Sequence, residues 1–119
     1  MQNLNQVQNE APILKKTVDL YKEFYQYLKT FPKKDQYMLG KRCEEHILSF
    51  MESILIAVSS YRREKKNKLL IANSEFDVLK VLIRMARELK MLDTKKYLSI
   101  EQRIQEIGRM LGGWIRSLQ

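Results

Sequence analysis

Hydrophobic side chains recur along this chain at spacings of three and four, the period of helices that bury one face. The tightest stripe lies near the C-terminus, where Tyr97, Ile100, Ile104, Ile107, Leu111, Trp114, Ile115 and Leu118 fall within roughly 100° of a helical wheel. Upstream, Ile13, Leu14, Thr17, Val18, Tyr21, Phe24, Tyr25, Leu28 and Phe31 repeat in the same way behind Pro12. Proline suits a first helical turn, so the spacing predicts a helix from Pro12 to Phe31. A second helix carries Leu39, Cys43, Ile47, Phe50, Met51, Ile54, Leu55 and Val58, an apolar arc of about 180° once Leu48 is included. The third, from Lys68 to Lys90, is the broadest: Leu69, Ala72, Phe76, Leu79, Ile83 and Ala86 form one face, and Val78, Val81, Leu82, Met85 and Leu89 widen it to roughly 220°.

Four such helices joined by short connections predict an all-α protein, an up-down-up-down antiparallel four-helix bundle over residues 12–119. A three-helix core with a swapped fourth helix is the competing arrangement. Residues 1–11 are dominated by Gln and Asn, which predicts a mobile arm. A helix in a lone bundle buries less than a 220° arc, so the surplus on the second and third helices predicts self-association through them.

Punctuation refines this picture. Asp35 is placed to cap the second helix, and Asp93 or Thr94 the fourth. Gly108 and Gly112 flank the C-terminal stripe, where missing side chains let a neighbouring backbone approach; each costs a helix about 1 kcal/mol relative to alanine. Fraying at Gly112 or Gly113 is the competing reading, opposed by Trp114, Ile115 and Leu118, which keep the stripe in phase. Glu44 falls inside an apolar arc and predicts an ion pair across an interface. Glu45 is placed to pair with Lys41 or Arg42 on the polar side.

Charge adds a partner class. Lys and Arg number 22 against 14 Asp and Glu, a formal net charge of +8, which favours a polyanion, most simply nucleic acid. Lysines serving only solubility give the competing reading. The densest run, Tyr61 to Lys68, holds Arg62, Arg63, Lys65, Lys66 and Lys68; it is either a solvated loop between helices or a phosphate-contacting segment leading into a helix N-terminus. Lys80, Arg84 and Arg87 lie within about 60° of one another on the third helix, either a face salt-bridged to Asp77 and Glu88 or a phosphate track. Arg109 and Arg116 occupy the outer side of the last helix. The aromatic stripe of the first helix is either a base-stacking platform or core, and its helical spacing favours core; Tyr27, off that stripe, is the better surface candidate.

Catalytic chemistry finds little here. His46 is the sole histidine and Cys43 the sole cysteine, three residues apart on one helix; they are placed as a core thiol and a helix-edge imidazole rather than as a nucleophile and its base. The pattern predicts no enzyme, no metal, no cofactor and no phosphate-cradling glycine loop. One cysteine forms no internal disulfide. Without an apolar run long enough for a bilayer or a basic-then-apolar leader, the expectation is a cytoplasmic protein with no membrane contact.

Three stretches carry a family likeness: Phe31-Pro-Lys-Lys-Asp-Gln-Tyr-Met-Leu-Gly-Lys-Arg-Cys-Glu-Glu45, Leu79-Lys-Val-Leu-Ile-Arg-Met-Ala-Arg-Glu-Leu-Lys90 and Glu106-Ile-Gly-Arg-Met-Leu-Gly-Gly-Trp-Ile-Arg116. In this order and spacing the chain resembles the accessory variability determinant (Avd) proteins of diversity-generating retroelements from Pro12 onward. The resemblance implies a four-helix bundle assembled into a barrel-shaped homopentamer. It also implies binding to the retroelement's reverse transcriptase and its template RNA, with DNA a further ligand, in support of mutagenic cDNA synthesis and without catalysis by the bundle itself. The four-helix bundle proteins of ribosomal RNA intervening sequences share the implied fold and a similar glycine-containing C-terminus, and give the alternative of a structural oligomer acting by protein contact. Their Ser-Ile and Asn-Ile-Ala-Glu-Gly pattern on the second helix is missing between Ile47 and Val58, which favours the retroelement branch. The likeness does not say which cations touch the nucleic acid.

Overall fold

A computed structural model describes residues 12–118 as four long helices and one short one, with no strand among them. We label them α1 (Pro12–Leu28), α2 (Lys33–Tyr37), α3 (Leu39–Ser59), α4 (Arg62–Glu88) and α5 (Thr94–Ser117). The four long helices form a closed ring of neighbours, α1 against α3, α3 against α4, α4 against α5 and α5 against α1, in a body of 44 × 27 × 22 Å. The predicted arm, 1–11, lies outside the described residues.

The stripes pack as their period demands. Leu20 and Phe24 of α1, Ile47, Phe50 and Ile54 of α3, Leu69, Phe76, Leu79 and Ile83 of α4, and Ile100, Ile104, Ile107 and Leu111 of α5 are buried together. Each such side chain contributes about 1.5–3 kcal/mol by leaving water. Phe50 and Phe76 meet at 4.8 Å between ring centroids, joining α3 to α4. Tyr97, Trp114, Ile115 and Leu118 extend the α5 stripe as half-buried side chains.

Boundaries differ from the pattern in four places. Helix α1 ends at Leu28, not Phe31, because a residue before proline is pushed out of helical conformation and Pro32 follows Phe31; Phe31 folds back edge-on to Phe24 at 6.0 Å. Asp35 does not cap the second long helix: it lies within α2, and α3 begins behind Met38 with no side-chain cap. The run Arg62 to Lys68 is not a loop but the first two turns of α4. Its Arg, Glu and Lys residues are good helix formers, and the chain breaks instead at Ser60 and Tyr61. At the far end α4 stops at Glu88, with Lys90 at φ 65°; Lys90 N–H donates to the Arg87 carbonyl and Met91 N–H to that of Ala86, the paired bonds of a left-handed helix terminus. For α5 the cap is Asp93, whose carboxylate accepts from the Lys96 backbone N–H at 2.8 Å.

Glycine matters most at Gly40. A Cβ there would overlap the Leu28 side chain and sit 2.9 Å from the Asp35 carbonyl oxygen, so α1 and α3 cross closely only because that atom is missing. At Gly108 the neighbour is the Phe76 ring, 3.5 Å from where a Cβ would stand, and at Gly112 and Gly113 it is the guanidinium of Arg116 from the same helix. Within the chain these glycines therefore admit side chains rather than a second backbone, and α5 runs through them without fraying.

Candidate nucleic-acid and assembly surfaces

The ten cations singled out in the sequence do not form one patch. Arg62 and Arg63 are exposed at the N-terminal end of α4, with Lys66 and Lys68 half-exposed beside them. Lys65 is turned back: its ammonium donates to the carbonyls of Val58 at 2.7 Å and Ala57 at 3.1 Å, neutralising the partial negative charge at the end of α3. Arg87 lies 25 residues beyond Arg62 in the same helix, about 37 Å away at the rise of an α-helix. Its guanidinium donates to the Thr94 hydroxyl at 2.7 Å, tying α4 to α5. Lys80 pairs with Asp77 at 3.0 Å and stands 5.7 Å over the Phe76 ring, while Arg84 is exposed. Among the described residues the expected partner Glu88 forms no ion pair. Arg109 and Arg116 are exposed on α5, the latter folded over the two glycines.

Sequence reasoning missed the polar centre of the α1–α5 seam. Glu23 accepts from Arg103 at 2.6 Å, from the Ser99 hydroxyl at 2.5 Å and from the Tyr27 hydroxyl at 2.8 Å. Burial pushes this carboxylate's pKa up, but the three hydrogen bonds outweigh it and hold it below the ordinary carboxylate value. Tyr27, expected as a surface contact, is thus half-buried and engaged, with burial and Glu23 raising its own pKa. Only the Tyr27–Glu23 pair, four residues apart, follows the helical period; Ser99 and Arg103 lie 76 and 80 residues from Glu23 and no periodicity signals them.

Within the chain Glu44 accepts from the Tyr21 hydroxyl at 3.0 Å, whose pKa is raised by burial and by that carboxylate. Among the described residues neither Glu44 nor Glu45 forms an ion pair. Cys43 is fully buried, and burial pushes its thiol up to about 12, so it holds its proton at neutral pH. His46 places Nδ1 3.0 Å from the Arg42 carbonyl. Among the described residues no three His, Cys, Asp or Glu side chains converge as metal ligands.

Surplus apolar surface stands where the wide arcs place it. Ile71, Val78, Val81, Met85 and Leu89 are exposed along one stripe of α4, and Leu48, Leu55 and Ile56 along α3. At one end Ile56 and Ile71 line a shallow groove with Ser53 and Lys68. At the other a cleft of about 540 Å³ is walled by Tyr37, Met38, Leu39, Met85, Leu89 and Met91, with Asp35 and Arg42 also lining it. Exposed apolar side chains gathered on one side of a small domain are a common feature of contact surfaces. No described helix is long and apolar enough to cross a membrane.

Comparison with known proteins gives one result. The family model described as bAvd-like matches residues 12–118, and no curated protein matches the chain.

Proposed function

Because the chain belongs to the bAvd-like family, we propose that it is a non-catalytic accessory subunit of a diversity-generating retroelement, acting in the cytoplasm. In this reading it assembles as a homo-oligomer, a pentamer by family likeness, and engages a reverse transcriptase together with template RNA or cDNA. It needs no cofactor; its work is to hold phosphate backbones for the polymerase.

The family match carries this reading, and two physical features support it. The net charge of +8 suits a polyanion, and the exposed stripe Ile71, Val78, Val81, Met85 and Leu89 suits sibling subunits. An up-down-up-down bundle is part of the same proposal. It is supported by the reversed order of cross-helix contacts on α1 and α5: Lys16 meets Glu106, Glu23 meets Arg103 and Thr30 meets Lys96.

Phosphate contacts from Arg62, Arg63, Lys66, Lys68, Lys80, Arg84, Arg87, Arg109 and Arg116 are expected to be independent of sequence and steeply salt-dependent. Replacing Lys80, Arg84 and Arg87 with Glu tests the assignment: RNA affinity should fall while the oligomer persists. Unchanged affinity removes these three residues from the interface. The alternative, an oligomer of the ribosomal RNA intervening-sequence type that acts by protein contact, draws on the same apolar stripe. It is separated by RNA binding itself, which should then be absent from the purified protein even in dilute buffer.

A further inference from the structure

The turn after α1, helix α2, the end of α4 and the start of α5 meet at one pole of the bundle. Three contacts fix this placement. Lys96 Nζ donates to the Thr30 hydroxyl at 3.2 Å, Arg87 donates to Thr94 at 2.7 Å, and α2 shares a cleft wall with Met85, Leu89 and Met91. The pole gathers six lysines from separate parts of the sequence: Lys29, Lys33, Lys34, Lys90, Lys95 and Lys96, of which all but Lys96 are exposed.

These lysines outnumber the acids that share the pole, Asp35, Glu88 and Asp93, two to one. The four ion pairs among the described residues join Lys15 to Asp19, Lys16 to Glu106, Lys80 to Asp77 and Arg103 to Glu23, so none involves this pole. Of the nearby acids, Asp93 is occupied as the α5 cap. Lys29 and Lys96 stand over Tyr25 and Tyr27 at 4.7 and 5.5 Å, which orients them without neutralising them.

Lys90 adds an independent observation. It is the one non-glycine residue with positive φ among those described, at 65°. A left-handed helix terminus favours glycine there, and a side chain costs about 1–2 kcal/mol. The chain keeps an ammonium where the backbone favours none, as strained positions at functional sites do.

We propose that this lysine pole is a phosphate-binding surface for single-stranded RNA that reads no sequence, distinct from the Arg62–Lys68 end. The proposal rests on the reading of the protein as a nucleic-acid-binding subunit and adds where a strand is held and how. Lysine offers a point charge and no planar fork, so a surface built from six lysines contacts phosphates without bidentate recognition of base edges. The narrow cross-section of 27 × 22 Å is wide enough for several successive phosphates. Dense backbone charge, whose bound counterions are released on contact, is what distinguishes a nucleic acid from a less charged acidic protein.

The test combines Lys33→Gln, Lys34→Gln, Lys90→Gly and Lys95→Gln in the full chain, four exposed positions with no side-chain partner among the described residues. Binding to a labelled oligouridylate and to an oligonucleotide of mixed sequence is then measured from low to physiological salt, with the circular dichroism melt as the folding control. The variant should melt no lower than the parent and bind both strands at least tenfold more weakly. The slope of log affinity against log salt should shrink by about 0.7 for each lost contact. Equal affinity and slope for variant and parent overturn the lysine pole and leave the broader reading standing. A parent that binds neither strand overturns both. Tighter binding of poly-glutamate than of RNA at equal charge overturns the RNA assignment in favour of an acidic protein.

Discussion

The seam between α1 and α5 and the seam between α3 and α4 close the same bundle by opposite means. Across the first, Lys16 meets Glu106, and Glu23 gathers Arg103, Ser99 and Tyr27. Polar atoms there are satisfied by the chain itself. Across the second, Phe50 and Phe76 meet as tilted rings while Ser53 donates to Glu75 at 2.5 Å, and beyond that line Leu48, Leu55, Val78 and Val81 face outward. One seam is complete in a single copy; the other keeps apolar surface in excess of what its neighbours cover. The difference teaches that burial inside a bundle and readiness for a partner are separable along one pair of helices.

The largest effect is expected from removing the aromatic pair at the apolar seam. Phe76→Ala should cost about 3–5 kcal/mol in denaturant unfolding; a loss below about 1 kcal/mol would deny that seam its central place. At the polar seam, Arg103→Met leaves the half-buried Glu23 without its cation and should cost about 1–3 kcal/mol. The same seam has a pH signature. Since the folded pKa of Glu23 lies below its unfolded value of 4.5, its contribution is whole above pH 4.5 and lost as pH falls through the folded value. Melting temperatures followed downward from pH 6 should therefore drop less steeply for Glu23→Gln than for the parent protein. Lys90→Gly, where α4 leaves the apolar seam for α5, should raise stability by about 1 kcal/mol by relieving the left-handed backbone. Smallest in stability is the outward stripe: Val78→Glu with Met85→Glu should change unfolding by no more than about 0.5 kcal/mol, yet lower the sedimentation coefficient if sibling copies cover that face. A variant that sediments as its parent does would assign the stripe to another partner.

What was legible in the sequence follows the same division. The period of α5, the surplus arcs of α3 and α4, and a cap for α5 at Asp93 or Thr94 could be read directly, because each depends on residues within one helix or its first turn. The family was legible from three motifs. The Glu23 network was not, since which polar side chains meet across a seam depends on the rotation and offset of two helices and not on the period of either. Gly40 was likewise silent: its value lies in the closeness of Leu28 and the Asp35 carbonyl. Lys65 carried the right charge for a phosphate but is directed at the carbonyls of α3. The lysine pole was half legible. Lys33 and Lys34 lie in the first predicted connection, and Lys90, Lys95 and Lys96 at the third, two connections that a bundle of alternating direction places at one end; their charges went unsummed because they are far apart in sequence.

The depth of Cys43 has a practical consequence for anyone attaching probes. A thiol held protonated to about pH 12 and sealed from solvent will ignore maleimides and air alike. A cysteine introduced at an exposed position such as Gln102 would then be the reactive one, and fluorophores or spin labels could report distances without first deleting the native sulfur.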